Sequence, residues 1–588
     1  MPEYLAPGVY VEETSFRAKS IEGVSTSTTA FAGATLRGPV FDPDNPASPP
    51  PELITSFGDF ERVYGGIDDL VWDGERRLNH VAHAALAYFT NGGSRLFVSR
   101  AFQPTDEDAT GRAVSAPFVG GAGAAAEQAL FRARFPGTGG NGAVILRQRA
   151  TPTSAATLAR TPLNSVIRAR DTGEDPDEDL FLVRTAEGLR DAEGEAPAAD
   201  ALEGRELAVI TVSAEAIPGG RDAEQKSVVY DELGLVAGHR RFIGDILTAE
   251  PTRRRDQLEN LYAIELGEDV TAFGLLAAIP EGDAGLRVAL AGGDDGIEPN
   301  AEAYRIALEP IGGNEEISIV AAPGHSEYED FAGIQARLIA HGDAARSYRI
   351  VVLDTPPAQL PGEAQAVRAR IDSTHAALYY PWVVVSNPLA SAADDTIAKE
   401  IALPPSGFVC GIYARNDVER GVYKAPANEV VRGALRFELE VNAAQQAILN
   451  PLGVNCLRYF AGRGNRVWGA RTATSDPEWK YVNVRRYFNY LERSIDRGTQ
   501  WAVFEPNGER LWANVRQTVS DFLFNEWASG ALLGSSAKEA FFVRCDRSTM
   551  TQNDLDNGRL VCLIGVAALK PAEFVIFRIG QKTADARQ

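Results

Sequence analysis

The chain has 588 residues, about what three or four domains of roughly 150 residues would need, so it can bury several separate cores. Apolar residues make up 45% and charged residues 23%, which excludes wholesale disorder and collagen-like architecture, and no apolar run approaches the roughly 20 residues of a membrane-spanning helix. A net charge of −22 repels nucleic acid and anionic lipid over most of the surface, so neither nucleic-acid binding nor membrane insertion is expected.

The opening MPEYLAPGVYVEE lacks the basic start and apolar run of a signal peptide, and it reads as an extended arm. Pro7 and Gly8 break any helix, and Val9-Tyr10-Val11 favours a strand. Folding in a cytoplasm is the expectation. A proline-dense loop, FDPDNPASPPP from Phe41, separates this piece from the next unit of the chain. Between Glu75 and Phe89 the apolar residues recur at helical spacing, and Asn91-Gly92-Gly93 ends that helix before a strand, Arg95 to Ser99.

Residues from Phe102 to Thr248 change character, with short apolar runs and frequent Gly, Pro and acids, and they read as a β-rich insertion. Twelve carboxylates crowd Asp171 to Glu203, a density that needs a solvated face or loop. Strand and helix signals then alternate. Strands are predicted at Val288–Ala291, Ile317–Ala321, Tyr348–Leu353 and Trp382–Ser386, with helices at Tyr328–Ile339 and Pro361–Ile371, the pattern of a partly parallel sheet. Asp476-Pro477 predicts a helix start, with one apolar face running to Gly498, and a second helix runs from Glu509 to about Gly530. Two strands, Leu560–Leu569 and Ala572–Ile579, close the chain; the last has apolar side chains on both faces and must be covered on both.

Chemistry-bearing motifs are weak. Gly137 to Gly142 (GTGGNG) fits a phosphate-binding pattern by letter, but a strand comes after it where a helix should start, so a turn is expected. Leu290 to Gly296 (LAGGDDG) has two acids and no lysine, and a turn is expected there too. His80 and His83 share a helix face without a third ligand, and they read as ordinary surface or packed histidines. No GxSxG accompanies the six histidines, and the four cysteines, Cys410, Cys456, Cys545 and Cys562, form no CxxC pair and read as reduced, buried thiols. No catalytic residue, metal or cofactor is assigned.

Tyr4-Leu5-Ala6-Pro7-Gly8-Val9-Tyr10-Val11-Glu12 resembles the start of contractile tail sheath proteins of myophages, R-type pyocins and extracellular contractile injection systems. Further blocks are similar to the same family: Phe57-Gly58-Asp59-Phe60 with Tyr64-Gly65, Tyr88 to Gly93, Phe135-Pro136-Gly137 with Gly140-Asn141-Gly142, and Leu290 to Gly296. Later come Tyr379 to Trp382, Leu403 to Gly407, Lys424 to Asn428, Asn450 to Asn455 and Lys570 to Phe574. Their number and order make the resemblance global, with residues 105 to 248 the least family-like part.

The resemblance implies a non-enzymatic structural subunit of a multi-domain α+β and α/β fold. Residues 1–36 would be an N-terminal arm and strand joining the inner domain, 37–104 with 249–385 a middle α/β domain, 105–248 a β-rich outer insertion, and 386–588 the inner sheath domain with its C-terminal arm. It implies stacked, hexameric rings of this chain around an inner tube, with baseplate and terminator or cap proteins as partners, in a phage tail or tail-like particle. Contraction would drive the tube through a target envelope. Pro7, Gly8, Val9, Tyr10, Val11, Glu12, Phe574, Val575, Ile576, Phe577 and Ile579 are the candidate subunit-exchange residues. Eleven bases against six acids between Leu457 and Arg516 make Arg458, Arg463, Arg466, Arg485 and Arg486 the tube-facing candidates. A non-contractile shell or surface-lattice protein, and an α/β enzyme with a β insertion, are the alternative readings.

Overall fold

The structure, a computed structural model, describes residues 20–44, 48–106, 109–121, 123–172, 178–198, 200–220, 226–391 and 397–578. The chain forms two units: residues 27–415 with 426–480, and residues up to 26 with 416–425 and 481 onward.

The larger unit holds two large sheets. In the first, the strands Leu96–Arg100, Thr29–Gly33, Ile319–Ala321, Ile350–Asp354, Ala376–Tyr380 and Val454–Phe460 lie side by side and parallel, and short antiparallel strands extend both edges to nine in all. Thr29–Gly33, Ile350–Asp354 and Ala376–Tyr380 are buried at every residue, which is why they read as unbroken apolar runs rather than alternating ones. The helices His80–Thr90, Ala301–Gly312, Phe331–Asp343 and Pro361–Arg368 supply the connections, and Tyr304, Leu308, Ile334, Leu338 and Val367 pack with Val320, Val351, Leu353 and Leu378 in one core.

The second sheet has ten strands, nine along its path and Val228–Leu233 paired to Arg205–Ile217 off it, antiparallel throughout. Ala143–Thr153 and Arg205–Ile217 pair over eleven residues, from Leu207 opposite Thr153 to Ile217 opposite Ala143. Ala129–Ala133 alternates buried and half-buried residues, as a strand with one covered face must. This body extends beyond the predicted limit of 248, because Tyr262–Leu266 and Leu286–Ala291 belong to it. The apolar run at 288–291, expected in the parallel alternation, instead lies antiparallel to Ala143–Leu146; a short apolar run does not specify its partner.

Two expected boundaries also move. Thr29–Gly33 sits in the middle of the nine-stranded sheet rather than joining the domain of the C-terminal helices, because it pairs with Leu96–Arg100 and Ile319–Ala321. Residues 386–588 are divided, since Val454–Phe460 pairs with Ala376–Tyr380 and ties 426–480 to the larger unit.

The smaller unit is built on the helices Val482–Thr499 and Glu509–Ala528, with an antiparallel pair of strands, Phe541–Arg544 and Leu563–Val566. Tyr487, Leu491, Trp512, Val515, Val519, Phe522 and Leu523 form its core with Ile21 and Val422. The first helix begins six residues after Asp476. There the Asp476 carboxylate accepts from the Glu478 N–H at 2.8 Å and the Thr472 N–H bonds the Lys480 carbonyl at 3.0 Å, so Asp-Pro starts a turn rather than a helix. The final strand signals shrink to Leu563–Val566, and no strand forms at 572–578.

Candidate assembly surface

Residues 20–26 are docked on the helix Val482–Thr499. The Val24 N–H donates to Ser494 Oγ at 3.1 Å, and Ile21 fills the notch at Gly498, where an added Cβ would stand 2.6 Å from it. Below them lies a buried ion pair. Arg486 donates to both Asp417 oxygens at 2.9 and 2.6 Å and to the Thr26 carbonyl at 3.0 Å, while the Thr26 hydroxyl donates to Asp417 at 2.6 Å. Burial pushes the Asp417 carboxyl up, and the Arg486 charge opposes that shift.

At the other end of the chain, the Asn483 side chain bonds the Leu569 carbonyl at 3.1 Å and the Tyr481 hydroxyl bonds Glu573 at 3.1 Å. Beyond that anchor Phe574, Val575, Ile576 and Phe577 are 71, 68, 79 and 82% exposed. Four consecutive bared apolar side chains are rare on a self-sufficient surface. The sheet Phe541–Arg544 with Leu563–Val566 has two strands among the described residues, and Phe542, Leu563 and Ile564 on it are exposed as well. Such a pair is marginal alone and presents backbone donors and acceptors to a further strand. The remaining exchange candidates, Pro7, Gly8, Val9, Tyr10, Val11, Glu12 and Ile579, lie outside the described residues.

The five arginine candidates separate into two sets. Arg485 and Arg486 do not reach a surface: both are buried, Arg485 donating to Asn489 at 2.9 Å and to Glu492 at 3.0 Å, Arg486 to Asp417. Charge counting cannot separate a helix's buried face from its exposed one. Arg458, Arg463 and Arg466 lie on the hairpin Val454–Phe460 and Gly464–Val467 of the larger unit. The rings of Phe460 and Trp468, 4.3 Å apart, carry the Arg463 guanidinium at 5.4 and 5.1 Å, and Arg458 lies 5.0 Å from the Phe460 ring. Arg466 donates to the Asn428 carbonyl at 2.6 Å. Tyr459 and Arg463 are exposed, leaving a basic and aromatic hairpin tip.

The weak motifs are internal. Asp295 accepts from the Thr138 N–H at 2.7 Å, the Thr138 hydroxyl at 2.8 Å and the Val71 N–H at 3.0 Å, and Asn141 exchanges two bonds with Gly293, so the two glycine-rich loops fasten each other. Gly137 has φ +122° and a Cβ there would lie 2.1 Å from the Leu36 carbonyl oxygen, which explains the glycine without a phosphate. His80, His83 and His325 are buried; His80 bonds Glu327 at 2.6 Å, and burial lowers His83 and His325 to about 4. Among the described residues no group of three His, Cys, Asp or Glu could hold a metal ion, and no helix is long and apolar enough to cross a membrane.

Residues 298–473 match the phage tail sheath protein central domain, and residues 474–582 match the phage tail sheath C-terminal domain. The chain belongs to the contractile tail sheath family. The junction of these domains, at 473/474, lies close to the division of the two units at Tyr481. A tail sheath protein of Vibrio phage KVP40 is 26% identical over 188 residues, 31% of this chain and 27% of that one. A prophage major tail sheath protein of Pseudomonas aeruginosa (strain UCBPP-PA14) is 24% identical over 272 residues, 45% of this chain and 65% of that one. The chain thus spans less than two thirds of these relatives. The PVC sheath complex of an extracellular contractile injection system, in its contracted state, shares the mixed α/β fold of this sheath family member at a TM-score of 0.52, with 20% identity over 99% of both chains.

Proposed function

We propose that this chain is the structural subunit of a contractile tail sheath, polymerising as stacked hexameric rings around an inner tube and contracting to drive that tube through a target cell envelope. The observation that carries the reading is the incomplete smaller unit: a two-strand ladder beside a chain end with four exposed apolar side chains. Both are satisfied when a strand from one copy completes the sheet of another, a contact made of backbone hydrogen bonds that persists while the globular bodies turn and slide. Residues 1–19 and 570–588 are the proposed exchanged arms. Contraction is then downhill because the contracted packing buries more surface or pairs more charge, and a small difference per subunit is summed over many copies.

In this arrangement the ten-stranded sheet faces outward, with Glu187, Glu193, Glu195, Asp200 and Glu203 exposed on it. The hairpin tip with Arg458, Arg463 and Arg466 is the remaining tube-facing candidate. The subunit is built in a bacterial cytoplasm into a phage tail or tail-like particle, with tube, baseplate and terminator or cap proteins as partners. Electron microscopy of purified protein is the test: striated tubes of two lengths support the reading, and closed shells or monomers at every concentration overturn it.

A further inference from the structure

The two strands Phe541–Arg544 and Leu563–Val566 run antiparallel, with Phe541 opposite Val566 and each step inward in one strand matched in the other, to Arg544 opposite Leu563. The next pair in that register is Cys545 and Cys562. Directly opposed residues of an antiparallel pair have Cα atoms about 4.5 or 5.5 Å apart, both inside the roughly 4.4 to 6.8 Å span of a disulfide. The two side chains interact as well, and both cysteines pack in the core of the smaller unit. The loop between them is pinned at its root, where Thr549 accepts from the Asp546 N–H at 3.3 Å and donates to the Val561 carbonyl at 2.7 Å, so the neighbours of both cysteines are tied together. From this register and contact we propose that Cys545 and Cys562 are a redox pair that closes into an intrachain disulfide across the two-stranded sheet.

The step balances with a small-molecule disulfide as oxidant. The Cys562 thiolate, on the more exposed of the two residues, attacks one sulfur of oxidised glutathione and expels a glutathione thiolate. The Cys545 thiolate then attacks the Cys562 sulfur of this mixed disulfide, so that the Cys545–Cys562 bond forms as the Cys562–glutathione bond breaks and the second glutathione thiolate leaves. Two electrons pass from the cysteines to glutathione, and the two thiol protons end on the released glutathione thiols. Burial, together with the facing Cys545, pushes the Cys562 thiol up to about 12, while the Arg516 charge opposes that shift. The pair is therefore slow to oxidise at neutral pH and stays reduced in a reducing compartment. Once closed, the bond fixes the register of the sheet.

Full-length protein incubated with oxidised glutathione, then unfolded and titrated with a thiol reagent, tests this. Two of the four thiols are lost, and peptide mass mapping places the link between Cys545 and Cys562 with the loss of two hydrogens. The rate rises about tenfold per pH unit through the mildly alkaline range. Cys545→Ser halts at one glutathione on Cys562. Four surviving thiols in the folded protein under conditions that oxidise the urea-unfolded chain overturn the proposal, as does a link mapped to another pair. A glutathione retained on wild-type Cys562 without resolution overturns it too, and none of these three readings depends on a variant folding.

Discussion

The nine-stranded sheet and the two-stranded sheet are made of the same kinds of residue, and they end in opposite conditions. In the first, Ile350–Asp354 and Ala376–Tyr380 have every residue buried, and the helices Ala301–Gly312 and Phe331–Asp343 pack into the same core. In the second, Phe542, Leu563 and Ile564 are exposed beside the bared residues 574–577. The difference is one of cover. Connections through helices give a parallel sheet covering layers on both faces, whereas this short antiparallel pair packs Phe541, Val543 and Val566 against one core and leaves its other face bare among the described residues. One sheet buries its apolar residues within its chain, and the other leaves Phe542, Leu563 and Ile564 exposed.

The largest effect that could break this comparison is on assembly. Deleting residues 1–15, or 571–588, leaves soluble protein that does not polymerise, while the thermal unfolding of the larger unit is unchanged; sedimentation and calorimetry check this. Normal sheath formation by both deletions would remove the arms from consideration.

Truncating side chains sharpens the contrast within one subunit. Leu378→Ala, at a residue 0% exposed in the nine-stranded sheet, lowers stability in urea titration by about 2–5 kcal/mol. Ile564→Ala on the open sheet changes the free subunit by less than about 0.5 kcal/mol, and weakens polymerisation instead. Equal losses at the two positions would show that both sheets are completed internally.

The larger unit also carries two opposed pH responses. Burial raises Asp354, which accepts from the Ser406 N–H at 2.7 Å and the Ser406 hydroxyl at 2.5 Å, from 3.8 to about 7. The folded state therefore holds that proton more tightly than the unfolded chain, and this contribution is present below about pH 4 and lost as pH rises to about 7. His83 and His325, lowered from 6.5 to about 4, contribute above about pH 6.5 and lose that as pH falls to about 4. Asp354→Asn thus makes stability climb more steeply between these limits, by up to about 1.4 kcal/mol per pH unit, and His83→Gln makes it climb less. Urea midpoints measured across the range check both, and parallel curves for wild type and Asp354→Asn would contradict the first.

The smallest effect falls on the hairpin tip. Reversing Arg463 and Arg466 to Glu weakens co-assembly with the inner tube at low salt and leaves tubeless polymers intact, because a contact that must slide is held by screened charge rather than a large apolar interface. Tube binding unchanged at every ionic strength would exclude this tip.

The helix that ends before Asn91, the strand and helix alternation from Ile317 to Leu353, the long helix ending near Gly498 and the helix from Glu509 were legible because apolar periodicity and caps are local signals. The helix expected from Asp476 was not, since Asp-Pro serves a turn as readily as a helix start, and only the Thr472 to Lys480 hydrogen bond decides between them. The excess of bases between Leu457 and Arg516 was visible as a pattern of residue type. That Arg486 would instead bury itself against Asp417, 69 residues away, has no sequence signal. Nor does the meeting of Cys545 with Cys562, which depends on strand register.

Sequence by itself determined which segments are apolar and where the chain turns, because these depend on side-chain chemistry and nearest-neighbour spacing. Tertiary structure decided which strand lies beside which, placing Thr29–Gly33 at the centre of a sheet and Leu286–Ala291 in the antiparallel body. Strand pairing is a choice among partners far apart in the chain with similar apolar content, and it is made by the packing of all of them at once.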